Sequence, residues 1–453
     1  MWRRLLYWNF RLVYTAGLWT RDRCTPMGGL LLGGMIGSGI FSVDTRQSLA
    51  FQIFTYLAAL LCLSLASLFT FKARFRVRRV LPEYATVRQP VKYKIIVENL
   101  GRVSQKDILL FDELNAGLPG FDEFAAASDP KDRGRNWFDR IVGYPRLLNL
   151  MQTKRGASIE PVTIHSLPAK DADEIAVELY PVRRGYLRFA RTRIARPDPL
   201  GLIRAMRSCQ HEDALLVLPR TYTVPPVQLR GKRKYQHGGM NQASTVGDAQ
   251  EFMSLRDYKP GDPLRAIHWR SYAKSGHPVV KEFQDEFFVR QGLLLDTFIE
   301  NCPDAVFEEA VSVAASFIVV DQPRDALLDL MFVGTESYRY TSGRSLSQVE
   351  NMLEILACVE PCRQPAFSRL IELVLRHANE TSGVICILLA WDEKRQNLVR
   401  QLTARNIPVL VLVITDRPDA QVSDVSALGL DADHFRRLHT NNMQLQLDQL
   451  CRI

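Results

Sequence analysis

The chain has 453 residues, too many for one ordinary core, so two or three domains are expected. Its formal net charge is +9, but residues 1–79 carry eleven Lys and Arg against only Asp22 and Asp44, and the remainder is balanced. A surplus confined to one largely apolar stretch excludes the basic face of a nucleic-acid binder.

Residues 1–26 form a basic segment rich in aromatic residues, with Trp2, Trp8 and Trp19. Met27–Val43 then gives 17 uncharged residues and Leu49–Phe71 another 23, separated by the polar turn Asp44–Ser48. Two such runs suit a helical hairpin across a hydrocarbon core of about 30 Å, so residues 27–79 are expected to be a transmembrane hairpin. The residues ahead of the first run are far more than a signal-peptide n-region holds. Arg3, Arg4, Arg11, Arg21 and Arg23 precede the first run; Lys72, Arg74, Arg76, Arg78 and Arg79 follow the second. Basic flanks mark the cytoplasmic side, which places both termini and the soluble domains there. Gly29, Gly33 and Gly37 on the first helix and Ala58, Cys62 and Ala66 on the second make small-residue stripes. They are expected either to face each other within the hairpin or to support self-association.

From residue 80 to 228 the pattern becomes short alternating runs such as Val91–Val97, Ile175–Leu179 and Leu215–Leu218. Alternation of period two with Gly, Pro and Asn breaks predicts an antiparallel β-sandwich. Residues 116–160 interrupt it as an insertion, which either rests on a membrane or partner or covers a sheet edge. Residues 229–286 open with the basic run Arg230–Lys234, read as a solvated linker or as a contact for phosphates or lipid headgroups.

The block that follows is the most distinctive in the chain: Glu251-Phe252, Leu255-Arg256-x-Tyr258, Pro260-Gly261-Asp262, Arg265-x-Ile267-x-Trp269, and a closing Glu282-Phe283 with Glu286. It resembles the hallmark of domain-of-unknown-function family 58, a bacterial group ending in a von Willebrand factor A-like domain. Pro181–Tyr186 and Asp198-Pro199-Leu200-Gly201-Leu202 look like two further family segments, and both read as tight turns. The hallmark has two readings. Either Glu251, Arg256, Tyr258, Gly261, Asp262, Arg265, Trp269 and Glu282 form a recognition surface, or Asp262 caps a turn, Arg265 partners it and Trp269 plugs the core.

From residue 287 to 453 continuous apolar strands (287–296, 327–333, 384–390, 409–414) alternate with helices near 304–320, 347–359, 367–378 and 393–404. That alternation predicts a doubly wound, mainly parallel α/β sheet with ligands at its strand carboxyl ends. The resemblance implies a von Willebrand factor A-like domain, whose first strand ends in Asp-x-Ser-x-Ser and chelates a divalent cation. Here Asp296 and the later Asp392 match, while Phe298 and Glu300 replace both serines, so a degenerate, vestigial site is expected. No cofactor is expected, Mg²⁺ being the one candidate. Eight scattered cysteines without a CxxC pair read as reduced and mostly buried, with Cys358 and Cys362 four apart on one helix.

The GxxxxGK[ST], HExxH and GxSxG signatures are absent. That points away from the common enzymes and toward a scaffold or adaptor in the bacterial inner membrane. The resemblance implies a MoxR-type AAA+ ATPase as partner, in assembly or remodelling of envelope complexes, alongside membrane lipid. A carboxylate-based hydrolase and a metal-dependent protein-ligand receptor are the alternatives.

Overall fold

A computed structural model describes residues 2–41, 48–69, 71–115, 117–126, 136–137, 143–227, 229, 252–262, 264, 267–283, 289–299, 303–320, 326–342, 346–362, 367–416 and 432–450. The chain divides into two compact units, Met1–Arg220 and Thr221–Ile453, ahead of the division expected at 228. It is a mixed α/β protein with several sheets.

The first unit opens with α1 (Trp2–Arg23), α2 (Pro26–Phe41) and α3 (Ser48–Leu68). Pro26 supplies the fixed φ of a first helical residue and Thr25 caps α2, its Oγ1 accepting the Gly28 amide at 3.0 Å. Leu49–Leu68 is long and apolar enough to cross a membrane; α2 is apolar but has only 16 residues. The apolar run outlasts the helix, and Phe71 is 3% exposed beneath the Arg196 guanidinium, not part of a span. The small-residue stripes do not meet. Space beside Gly29, Gly33 and Gly37 is open, whereas β-carbons at Gly34 and Gly39 would lie 3.5 and 3.4 Å from Leu57 and Phe54 of α3. Bulky side chains of α3 fill the groove on an adjacent face of the glycine helix.

Past these helices come β1 (Phe75–Val80), β2 (Tyr84–Thr86), β3 (Val91–Asn99) and β4 (Gln105–Leu114). Helices α4 (Phe121–Ala126) and α5 (Tyr144–Arg155) follow, then β5 (Ala157–Ile159), β6 (Val162–Leu167), β7 (Ala172–Pro181), β8 (Gly185–Pro197) and β9 (Arg204–Leu218). Among the described residues they make an antiparallel sheet in the order β1-β3-β7-β5 and a second in the order β2-β9-β8-β4-β6, with only β2 and β9 parallel. Alternate side chains of both sheets, among them Ile95, Val97, Val177, Ile108, Phe189 and Leu215, share one buried cluster.

Arg79 is not a membrane flank. Period two in β1 turns it inward with Phe75 and Val77, and its side chain is 0% exposed. It holds Asp112 at 2.6 Å and Asp213 at 3.0 Å and lies over the Phe189 ring, while the Tyr93 hydroxyl donates to Asp112 at 2.7 Å. The 116–160 segment packs α4 and α5 against α1: Tyr7 and Phe10 are buried with Phe124, Leu147 and Met151, and the Tyr7 hydroxyl donates to the Pro119 carbonyl at 2.5 Å. The Asp198–Leu202 turn clamps the α1–α2 junction, where Thr25 Oγ1 donates to the Gly201 carbonyl at 2.5 Å. Burial works against the Asp198 charge, but the amides of Ile203, Leu202 and Leu200 and the adjoining Ser64 hydroxyl outweigh it and lower its pKa.

The second unit begins as a strap in which Tyr222, Val224, Val227 and Leu229 are buried. β10 (Phe252–Asp257) pairs antiparallel with β11 (Val279–Phe283) around α6 (Trp269–Ser275). The main sheet is built from β12 (Val289–Leu295), β13 (Ala326–Val333), β14 (Ser337–Ser342), β15 (Gly383–Leu388), β16 (Val409–Thr415) and β17 (Phe435–His439). Its helices are α7 (Asp304–Val319), α8 (Leu346–Cys358), α9 (Phe367–His377), α10 (Glu393–Thr403) and α11 (Met443–Asp448). The order is β14-β13-β12-β15-β16-β17, parallel except at the β14 edge. Leu294, Cys386 and Val411 bury one face under α9 and α10, and α7 packs against β12, β15 and β16. Strands buried on both faces are why these segments read as continuous apolar runs.

Cys386 is buried, but Cys62 and Cys358 are exposed, contrary to the expectation of mostly buried thiols. The helix carrying Cys358 ends there, and Cys362 bridges instead to Phe298, so the two do not share a helix.

Candidate functional site

Strand β12 is followed in sequence by β13 on one side and β15 on the other, so the order reverses at its carboxyl end. Crevices at such a switch point are where open α/β sheets bind ligands. Asp296 sits there, 0% exposed. Its Oδ1 accepts the Phe298 amide at 3.0 Å and its Oδ2 the Leu389 amide at 3.1 Å. Asp392, beyond β15, is the N-cap of α10 and accepts the Arg395 amide at 3.0 Å.

The structure does bring Asp296 and Asp392 to one place, and it puts an arginine between them. Arg395 Nε donates to Asp296 Oδ2 at 2.5 Å, one terminal nitrogen to Asp392 Oδ2 at 2.5 Å, and the other to the Phe298 carbonyl at 3.2 Å. The guanidinium also lies 4.9 Å over the Phe367 ring. Burial works against the Arg395 charge, but Asp296 and Asp392 outweigh it and raise its pKa. Burial pushes the Asp296 carboxyl upward, against the opposing pull of Arg395 and the two amides. Phe298, at a position where the resemblance implies a hydroxyl ligand, is 3% exposed and packs edge-on against Phe367 at 5.6 Å. These residues do not fit a divalent cation: the fixed positive charge already spans both carboxylates, and Phe298 offers no oxygen. Among the described residues no group of three His, Cys, Asp or Glu side chains is placed to hold one. Glu300 lies outside the described residues.

The hallmark block forms the β10–β11 hairpin. Arg256 grips Asp262 with two parallel bonds of 2.7 and 2.8 Å, and Asp262 also accepts the Lys259 amide at 2.9 Å. The Arg256 bonds and then that amide hold the Asp262 pKa at about 2. Asp262 therefore caps the turn, with Arg256 as its partner. Gly261 takes φ +110°, which the turn requires and side chains resist. The Tyr258 amide donates to the Pro278 carbonyl at 3.0 Å and closes the hairpin. Trp269 is not a core plug: it is 62% exposed, with Tyr272 edge-on at 6.1 Å and Leu264 67% exposed nearby in sequence. Glu282 lies in β11. Glu251, Arg265, Glu286 and the basic run 230–234 fall outside the described residues.

A cleft of about 1240 Å³ in the first unit, lined by the end of α1 and by β4, β8 and β9, contains none of these positions. Its Arg191 and Arg193 are engaged by Glu113.

Residues 254–447 match the family described as protein of unknown function DUF58. Over this stretch, which is less than half of the chain, the sequence is similar to DUF58. Both constellations, Arg256–Asp262 and Asp296–Arg395–Asp392, fall inside the DUF58 region. The uncharacterized protein YeaD of Bacillus subtilis (strain 168) is 29% identical over 185 residues, 40% of this chain and 45% of that protein, so less than half of the relative's length is matched. Manganese-loaded TRAP protein of Plasmodium vivax has 12% identity over 36% of this chain and 73% of its own, with a TM-score of 0.25. The CARDB domain of a Pyrococcus furiosus protein, in complex with di-metal ions, has 12% identity over 32% of this chain and 89% of its own, with a TM-score of 0.17. At these TM-scores neither bears on the fold or on metal binding here.

Sequence reasoning missed Arg395. The signal was present: Asp392-x-x-Arg395 puts a cation in the first turn of α10, where the dipole disfavours it unless a carboxylate holds it.

Proposed function

We propose that the protein is a membrane-anchored scaffold or adaptor facing the cytoplasm, whose DUF58 region docks a MoxR-type AAA+ ATPase during assembly or remodelling of envelope complexes. In this reading α2 and α3 are a transmembrane hairpin, the two sheets of the first unit a β-sandwich, and the second unit a von Willebrand factor A-like domain working without metal. The observation that carries it is the hallmark hairpin. Its turn is locked by Arg256 and Asp262 while Leu264 and Trp269 stand in solvent, the arrangement of a hot-spot anchor on a rigid support.

The Asp296–Arg395–Asp392 contact argues against both alternatives. A hydrolase needs a reachable carboxylate that no cation already holds; Asp296 is fully enclosed, and the partly exposed Asp392 is paired with Arg395. A cation-dependent receptor needs an open coordination site, which Arg395 fills with its own charge. The open face of Gly29, Gly33 and Gly37 supports self-association in the membrane.

The test is capture of the detergent-solubilised full chain, with and without ATP, as wild type and as Trp269→Ala. Stoichiometric recovery of an AAA+ ATPase that Trp269→Ala abolishes without altering unfolding is the expected result. Recovery of the chain alone under both conditions overturns the adaptor reading, and undiminished recovery with Trp269→Ala moves the docking surface elsewhere.

A further inference from the structure

Helix α1 carries two apolar faces, and the described residues of the first unit cover one of them. Tyr7 and Phe10, with Leu6 and Tyr14 beside them, pack into the cluster made with α4 and α5. Leu5, Trp8, Leu12 and Trp19 recur at spacings of three, four and seven residues, which puts them on roughly the opposite side of the helix. They are 66, 66, 67 and 57% exposed. The stripe runs about 21 Å along the axis at 1.5 Å per residue.

What borders this stripe selects its partner. The Arg11 guanidinium sits 5.8 Å over the Trp8 ring and that of Arg23 5.5 Å over Trp19, while that of Arg4 turns instead to Phe121 of α4 at 5.2 Å. No acidic residue occurs before Asp22. Asp22 itself is buried against Arg193 at 2.7 Å and adds no negative charge to the exposed face. The helix then passes through the Thr25 cap directly into apolar α2, and α3 behind it is long enough to span a bilayer. Tryptophan and arginine beside such a helix match the headgroup layer, where amphipathic rings and snorkelling cations are both satisfied.

We propose that the Leu5–Trp8–Leu12–Trp19 face of α1 lies in the headgroup–acyl boundary of an anionic bilayer. This rests on the membrane-anchorage reading. The opposite face is held by α4 and α5, so the 116–160 insertion is the cradle that presses the first unit against the lipid surface. The Thr25–Gly201 clamp fixes where α1 gives way to α2, and with it the side of the helix turned to the bilayer.

The full chain is reconstituted in phosphatidylethanolamine and phosphatidylglycerol vesicles with brominated acyl chains, as wild type and as Trp8→Phe/Trp19→Phe. Flotation at alkaline pH reports anchorage, and the fluorescence difference between the two proteins reports the stripe. The expected difference component is blue-shifted, quenched by the brominated lipid and protected from aqueous iodide. A component quenched by iodide but not by bromine, in protein that still floats, overturns the inference and leaves the anchorage standing. Protection from both quenchers overturns it in favour of a protein cover, such as a second copy. Failure to float removes the anchorage and the inference together. The wild-type emission maximum with each quencher serves as the second measurement should the double variant lose its circular dichroism.

Discussion

Replacing Arg395 by alanine is expected to destabilise the second unit by about 4 kcal/mol at pH 7, the scale of breaking a buried ion pair from one side. The magnitude follows from what remains. Asp392 is about a third exposed and regains water; Asp296, at 0% exposure, keeps only the amides of Phe298 and Leu389. A buried carboxylate without its cation lowers its cost by taking up a proton. Doing so at pH 7 from an ordinary value of about 3.9 costs about 4 kcal/mol, and at pH 5 about 1.5 kcal/mol, at 1.36 kcal/mol per unit. The folded-state pKa of Asp296 in the variant lies above the unfolded value, so stability is fully present below about 3.9 and lost as pH rises through the folded value. Urea unfolding of the full chain in mild detergent at pH 5 and 7 measures both ends of that window. Asp296→Asn combined with Arg395→Ala should remove the pH dependence, and an apolar pair, Asp296→Ala with Arg395→Met, should recover most of the stability. A loss for Arg395→Ala below about 1 kcal/mol at pH 7, or one equal at both pH values, refutes the reasoning, because the guanidinium would then not be holding a buried charge.

Arg79→Ala is expected to cost the first unit about 3–5 kcal/mol, since it strands Asp112 in the interior; denaturant unfolding measures it, and Arg76→Ala, whose partner Glu98 is on the surface, should cost under about 1 kcal/mol. The Asp262 carboxyl should titrate at about 2 by carbon-detected NMR and move toward about 3.9 in Arg256→Gln. Because its folded value is depressed, its contribution to the hairpin is present above about pH 4 and is lost as pH falls through about 2. Gly28→Ala should destabilise the α2 junction by about 1–3 kcal/mol, because the added carbon would lie 2.1 Å from the Leu202 carbonyl oxygen, whereas Gly29→Ala meets open space; limited proteolysis between α1 and α2 distinguishes them.

How much of this was legible depended on whether a residue's role is set by its neighbours in sequence. Strands β12, β13, β15 and β16 stand out because burial on both faces makes them uninterrupted apolar runs, and Asp296 is legible as the first polar residue past one of them. The β14 edge escapes because its one-sided Tyr338 and Tyr340 pack on Phe332 while the other face stays polar. Arg79 was readable and misread: Phe75-x-Val77-x-Arg79 is a strand alternation pointing inward, but the run of arginines around it looks like a cytoplasmic flank. Roles set across the chain leave no such local trace. Arg395 meets Asp296 across 99 positions, and Tyr7 meets Pro119 across 112. The first contact sets a guanidinium between two carboxylates, and the second turns an apparent insertion into the seat of the N-terminal helix. In both cases the distant partner, Asp296 for Arg395 and Pro119 for Tyr7, is brought there only by the fold.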